Sequence, residues 1–322
     1  MKIKSEICEA IKQKISESDT IGIISHTHPD GDNLGSILGM YQALKINTDK
    51  KIEIVKVDDY PKIFNFLPNI EMLKEVEVDR KYDLLFVLDC GDAQRVGDYE
   101  ALIEHAGFVI NVDHHRTNTQ FGDLNLVDIG ACATAELIFE LLKALAFKLD
   151  KKVATCLYTG ISTDSGSFKY SNTTARTHQI AAELIGLDID TELINVSIYQ
   201  NQPYSKTLLL VESLSTLQMH HDNQLAIAYV TQEMLEKTES NMLDSEGIVE
   251  FMRDIQGVEV ACFLKVYPTE IKASFRSKSQ VDVASFAEKN NGGGHVRAAG
   301  CTFKEPLQKV ISKIVNEIMH EA

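Results

Sequence analysis

The histidines and aspartates most able to do chemistry fall in four short clusters. The first is His26-Thr27-His28-Pro29-Asp30-Gly31-Asp32. Asp89 ends the apolar run Tyr82–Leu88, and Asp113-His114-His115 ends the run Phe108–Val112. Asp164 sits in the segment GISTDSG, after LYTG. Carboxylates and imidazoles without a thiolate suit Mn²⁺ or Mg²⁺ better than structural zinc. A pair of ions about 3.5–4 Å apart needs a bridging carboxylate with further ligands on either side. Asp30 and Asp32, two positions apart in a tight loop, can each face one ion. Such a centre activates water and neutralises phosphoryl oxygens during in-line attack.

Those residues converge only if the chain places them so. Thr20–Ser25, Lys51–Val57, Tyr82–Leu88 and Phe108–Val112 read as strands, with helical stretches at Ser36 to about Leu44 and at Thr134–Leu149. Lys152–Tyr158 leads into the loop that carries Asp164. Alternating strands and helices predict an α/β fold, a parallel sheet with helices on both faces. In an open sheet of that kind ligands bind beyond the carboxyl ends of the strands. A single aspartate after a strand is commonly a turn or helix-cap residue. Four polar clusters at equivalent strand ends are better explained as one site.

Beyond residues 186–205 the rhythm changes. TELINVSIYQNQPYSK reads as a connecting helix ending before Pro203. Ser213–His220 and Gln224–Thr231 read as a hairpin, Val258–Tyr267 and Glu270–Arg276 as a second strand pair, and Asp282–Lys289 as a helix capped by Asp282. Asn291–Gly294 reads as a glycine-rich turn before a strand and a final helix. The expected organisation is a catalytic metal-binding domain at 1–187, a linker or hinge at 188–205, and a smaller α+β substrate-binding domain at 206–322 across a cleft.

The formal net charge is −15. Such a surface repels polyanions, so a track for long duplex nucleic acid is excluded and a small anion or short oligonucleotide is favoured. No apolar run reaches bilayer-spanning length, and the N-terminal residues read as a surface amphipathic helix and not as a signal peptide; the expected location is cytoplasmic, away from membranes. The six cysteines form no C-x-x-C pair and read as buried thiols in a reducing compartment. No G-x-G-x-x-G, Walker A or nucleophile-elbow pattern is present, which removes dinucleotide, ATP and acyl-serine chemistry.

The clusters carry a family resemblance. Asp113-His114-His115 is a DHH motif, and SHTHPDGDNLGS, VLDCGDAQRVG, VDHHRTN and GISTDSGSF resemble the four motifs of the DHH phosphoesterases along essentially the whole chain. The resemblance implies two Mn²⁺ ions, with Mg²⁺ or Co²⁺ as substitutes. His26, Asp30 and Asp89 would hold one ion. Asp32, Asp89, His114 and Asp164 would hold the other, with Asp89 bridging. His115 would lie against the substrate phosphate and share the catalytic role with Asp89. Arg95 and Arg116, which directly follow two of the motifs, could touch phosphate or form surface or interdomain ion pairs.

Gly292-Gly293-Gly294-His295, followed by Arg297-Ala298-Ala299-Gly300, resembles the glycine-rich motif of the first type of DHH-associated domain. Backbone N–H groups there can form an anion nest, His295 adds a donor, and Arg276 can clamp a terminal phosphate. Within the family the chain resembles the NrnA-type nanoRNases. That implies hydrolysis of short oligonucleotides to mononucleotides and of 3′-phosphoadenosine 5′-phosphate to AMP, by a monomer or homodimer. A phosphodiesterase of pApA or cyclic-di-AMP would use the same motifs. A family II-like pyrophosphatase lacks the GGGH segment, and a non-catalytic nucleotide sensor would not need the full ligand set.

Overall fold

The computed structural model describes residues 3–320. Up to Asn201 the chain forms one compact unit and from Gln202 a second. In the first, helix α1 (Ser5–Glu17) precedes β1 (Thr20–Ile24), α2 (Gly31–Asn47), β2 (Lys51–Val55) and the two-residue strand β3 (Leu73–Lys74). Then come β4 (Leu84–Leu88), α3 (Glu100–His105), β5 (Val109–Asp113), β6 (Leu124–Val127), α4 (Thr134–Ala144), α5 (Lys151–Asp164), α6 (Ala175–Ile185) and α7 (Thr191–Tyr199). The strands make one sheet in the order β3-β2-β1-β4-β5-β6, parallel at every pairing. β4 is buried at every residue, as a central strand covered on both faces must be. The strand order reverses between β1 and β4, and a ligand crevice forms at such a switch point.

Helix α2 is buried from Gly31 through Leu44 and packs along α5. Small residues permit that approach. A Cβ on Gly35 would lie 2.5 Å from the Cys156 carbonyl, and one on Gly160 would lie 2.9 Å from Asp32 Oδ1. The α2–α5 pair therefore brings Asp32 and the end of α5 to the rim of the sheet.

The second unit contains α8 (Tyr204–Leu214), β7 (Gln218–His220), β8 (Leu225–Val230), α9 (Gln232–Lys237), α10 (Ile248–Arg253), β9 (Val260–Val266) and β10 (Ile271–Ser277). It ends with α11 (Val283–Lys289), β11 (Gly293–His295), β12 (Ala298–Phe303) and α12 (Leu307–Glu317). Its mixed sheet runs β11-β12-β10-β9-β8-β7, with only β8–β9 parallel. Phe275 and Cys262 pack with Phe286 of α11 and Ile314 of α12 on one face. Ala228 and Phe263 pack with Leu209, Leu235 and Met252 of α8–α10 on the other.

Three expectations need correction. Helix α2 begins at Gly31, not Ser36, because Asp30 caps it by accepting the Asn33 N–H at 3.0 Å. Residues 151–164 are one helix, so Asp164 closes a helix and not a strand-end loop. Residues 213–217 do not extend β7; α8 runs to Leu214, and the hairpin pairs only Gln218–His220 with Leu225–Ile227. All six cysteines are free and buried. Among the described residues no helix is long and apolar enough to cross a membrane.

Candidate metal centre

Strand ends and two helix ends build the cluster. β1 delivers His26, the start of α2 delivers Asp30 and Asp32, and Asp89 follows β4. His114 and His115 follow β5, and Asp164 ends α5. Ligand atoms of His26, Asp30 and Asp89 lie within 4.8 Å of one another, as do those of Asp32, His114 and Asp164. Asp89 joins the two groups. Its Oδ2 is 3.2 Å from His26 Nε2, and its Oδ1 is 3.7 Å from His114 Nε2. His114 Nε2 is 3.6 Å from Asp164 Oδ2 and 3.9 Å from Asp32 Oδ2. Asp89 has a φ of 57°, left-handed backbone that a non-glycine residue adopts at an energetic cost and that concentrates at functional sites.

The electrostatics suit a cation. His26, Asp32 and Asp89 are buried, and Asp30 and Asp164 add two more carboxylates beside them. Burial, then the charges of Asp89, Asp164 and Asp30, drives the Asp32 carboxyl well above its ordinary range. Asp164 is pushed up to about 6, chiefly by burial. Two groups of carboxylate and imidazole atoms sharing one aspartate fit a pair of divalent ions, whose charge would offset this repulsion.

Supporting contacts surround the cluster, and the sequence reading had not singled them out. The N–H groups of Thr134 and Ala135, at the start of α4, donate to the two oxygens of Asp32 at 2.6 and 2.9 Å. Thr134 Oγ1 donates to Asp89 Oδ1 at 2.9 Å. Asn33 Nδ2 donates to the His26 carbonyl, and Asn172 Nδ2 to the carbonyls of Cys132 and Asp164. The Asp113 carboxylate, fully buried, lies 2.7 Å from His115 Nδ1 and accepts from Asn118 Nδ2 at 2.6 Å. Burial opposes the Asp113 charge, yet these partners hold its carboxyl below the usual range. The His115 imidazole is raised, first by this bond to Asp113. The Asp-x-His spacing inside the DHH triplet was the available signal for this pair.

Other predicted residues divide. His28 is exposed, with a φ of 56° and its N–H on Asp58. Arg116 is exposed beside His115, and the charge of Arg95 is close enough to His115 to counter its protonation. In the second unit, Gly292–His295 are exposed, with Gly293–His295 forming the edge strand β11. Gly294 has a φ of 145°, and a Cβ there would meet the Ala298 carbonyl at 2.5 Å. Arg276 is engaged within the unit: Nε donates to Glu250 at 2.9 Å and an Nη to the Phe275 carbonyl. Arg297 is likewise held by the carbonyls of Val281 and Ser279.

Comparison with known proteins gives matching results for both units. Residues 20–161 match the DHH family, N-terminal domain, and residues 222–321 match the DHHA1 domain. A bifunctional oligoribonuclease and PAP phosphatase NrnA from Thermus thermophilus is 33% identical, over 100% of this chain and 94% of its own. A cyclic-di-AMP phosphodiesterase PdeA from Listeria monocytogenes is 28% identical over 93% of this chain and 47% of its own. The crystal structure of an exopolyphosphatase-related protein from Bacteroides fragilis superposes with a TM-score of 0.93, at 26% identity, over 99% of this chain and 97% of that one.

Proposed function

The chain belongs to the DHH family of phosphoesterases, with a DHHA1 domain, and on that footing we propose that it hydrolyses short oligonucleotides to mononucleotides and 3′-phosphoadenosine 5′-phosphate to AMP. The observation that carries this reading is the part-buried cluster in which Asp89 joins the group of His26 and Asp30 to the group of Asp32, His114 and Asp164. Those six residues would hold two divalent ions, manganese in this reading with Mg²⁺ or Co²⁺ as substitutes, which would supply water activation and charge neutralisation at phosphorus.

The chain's own groups do the rest. Thr134 and the N-terminus of α4 fix Asp32 and Asp89 in place before substrate arrives. Asp113 occupies Nδ1 of His115, so Nε2 is the ring atom left to face a phosphate. Raised by Asp113, the imidazole can carry a proton there and donate it to a phosphoryl or departing sugar oxygen. Arg116 and Arg95 add positive charge beside it. In the DHHA1 domain, Gly292–His295 would meet the far end of the nucleotide through N–H groups other than that of Gly292, which the Ala287 carbonyl takes, and Arg276 would reach its terminal phosphate with the N–H groups that Glu250 and the Phe275 carbonyl leave unused. Within residues 188–205, the segment 200–203 between α7 and α8 would serve as the hinge in this reading.

A second reading, hydrolysis of pApA or cyclic-di-AMP, is favoured by the similarity to the Listeria phosphodiesterase. One mass-spectrometric panel separates them. It offers pApA, RNA dimers to heptamers, 3′-phosphoadenosine 5′-phosphate, cyclic-di-AMP and pyrophosphate, each with Mn²⁺ and Mg²⁺. Mononucleotides from the short RNAs and AMP from the bisphosphate are expected. Turnover of cyclic-di-AMP or pyrophosphate alone would overturn the leading reading.

A further inference from the structure

Immediately after Asp164 the backbone does something unusual. Gly166, Ser167 and Phe168 follow one another with φ values of 58°, 59° and 62°. Side-chain-bearing residues rarely enter this region singly, and two in succession after a glycine are strongly disfavoured without outside support. The support is present. Ser165 Oγ donates to the Ile161 carbonyl at 2.6 Å and accepts the Phe168 N–H at 3.0 Å. The Ser167 N–H reaches the Ser162 carbonyl at 2.7 Å, and the Tyr170 N–H reaches the Ser165 carbonyl at 3.0 Å. Asn172 then ties the segment to the carbonyl of Asp164 at 3.1 Å.

The effect of this turn is to sort two aromatic rings. Phe168 goes inward, 5.4 Å from the ring of His178 and nearly parallel to it. Tyr170 goes outward: 44% of its surface is exposed, although it follows a predicted metal ligand by only six positions. Its ring edge lies over Gly166, where a Cβ would come within 2.6 Å of it. Tyr199, also exposed, is anchored by its hydroxyl to the Ser162 carbonyl at 2.9 Å, and the two phenols are near enough to interact electrostatically. Tyr170 is thus an exposed aromatic whose ring packs over Gly166, two residues after Asp164. It is suited to a flat, apolar ligand surface.

We propose that Tyr170 is a specificity-determining residue that stacks on the nucleobase adjoining the scissile phosphate. The inference rests on the nucleotide phosphoesterase reading above and deepens it. Every base has a π face, so a fixed ring gives base-dependent but sequence-tolerant affinity. The left-handed run holds the ring in place beforehand, which removes the ordering cost of binding. An inorganic substrate would gain nothing from it.

The test uses the full chain with Mn²⁺ and two substrates: pApA, and the same diphosphorylated backbone with hydrogen in place of each base. Wild type, Tyr170→Ala, Tyr170→Phe and Tyr170→Trp are compared by kcat and KM. Stacking predicts that Tyr170→Ala raises KM for pApA about tenfold to a hundredfold. The effect should be confined to KM, absent on the base-free substrate, and rescued by Phe and Trp. An unchanged KM for pApA would overturn the proposal. So would an equal loss on both substrates, which would mark a purely structural ring, or failure of Phe to rescue. A wild-type enzyme inactive on pApA would remove the parent reading as well; an active wild type indistinguishable from Tyr170→Ala would remove only the role of Tyr170.

Discussion

Nδ1 of His115 lies 2.7 Å from Oδ1 of Asp113, two residues before it, while Oδ2 of the same carboxylate accepts the Asn118 amide at 2.6 Å. The buried carboxylate therefore fixes both the tautomer and the orientation of the imidazole. Asp113→Asn tests this at constant shape. The new amide must keep its oxygen toward His115, which sets its NH₂ against the NH₂ of Asn118. A fall in kcat of about 10- to 100-fold is expected, the range for removal of such an orienting group. KM should change little. Steady-state kinetics on the dinucleotide decides it, and kcat within twofold of wild type would refute the role of Asp113.

Arg176 of α6 offers a second prediction. Its guanidinium lies 2.8 Å from Asp128, 2.8 Å from Glu136 and 2.7 Å from Glu140. Glu136 is fully buried, and it also accepts from the Cys132 N–H. The clamp thus fixes the segment from Asp128 to Thr134, which meets His114 through the Ala131 carbonyl and Asp32 and Asp89 through Thr134. Arg176→Gln strands the buried Glu136 beside Asp128 and Glu140 and should cost about 3–5 kcal/mol of stability. Arg176→Lys, which keeps one charge but not the fork, should lose less. Urea unfolding measures the stability. Isothermal titration with Mn²⁺ should also show weaker binding in Arg176→Lys; unchanged affinity there would confine Arg176 to a structural role.

These contacts show where sequence reasoning reaches and where it stops. Strands such as Leu84–Leu88 and Val109–Asp113 are legible because a central parallel strand is buried on both faces and therefore largely apolar, with Asn111 and Asp113 the polar exceptions in the second. The same runs end at Asp89 and His114, so their part in one site is legible too. The helical state of residues 159–164 is not. Gly160 and the Ser-Thr-Asp run that follows Ile161 are ordinary turn signals, but Gly160 is required by the close approach of Ala135 and Asp32. Gly31 and Gly35 mislead in the same way at the start of α2, where packing against α5 overrides local propensity. The engagement of Arg276 with Glu250 is equally illegible, since it depends on how α10 lies across β10.

Glu259 gives a pH-dependent prediction away from the metal cluster. One carboxylate oxygen accepts the N–H groups of Ser279, Gln280 and Val281 at 2.9, 2.6 and 3.2 Å, and the other accepts Ser279 Oγ. Burial opposes its charge, but these bonds lower its pKa on balance. A depressed carboxylate contributes stability that is fully present above the unfolded pKa, about 4.3. That contribution is lost as pH falls through the lower folded value. Glu259→Gln should therefore be less stable than wild type at pH 7, by about 1 kcal/mol given its partial exposure. The difference should shrink below about pH 4. Urea midpoints between pH 3 and 7 measure it; a gap that widens on acidification would contradict the sign.

Asp89 carries the largest expected effect, because it joins the His26 and His114 groups. Asp89→Asn removes one negative charge from a buried, mutually repelling set, so the metal-free protein should be no less stable, and Thr134 Oγ1 can still donate to the remaining oxygen. Divalent ions lose the carboxylate that would bridge them. Activity should drop at least about a hundredfold, consistent with loss of a group acting directly on the metals, while circular dichroism and the melting curve stay close to wild type. Chelation of wild type should abolish turnover reversibly, and Mn²⁺ titration should recover two binding events in wild type but fewer or weaker ones in Asp89→Asn. Near-normal activity of the variant would sink the assignment of the metal centre, whereas a folded, inactive variant that still bound two ions would leave the site in place and shift the role of Asp89 from ligand to substrate.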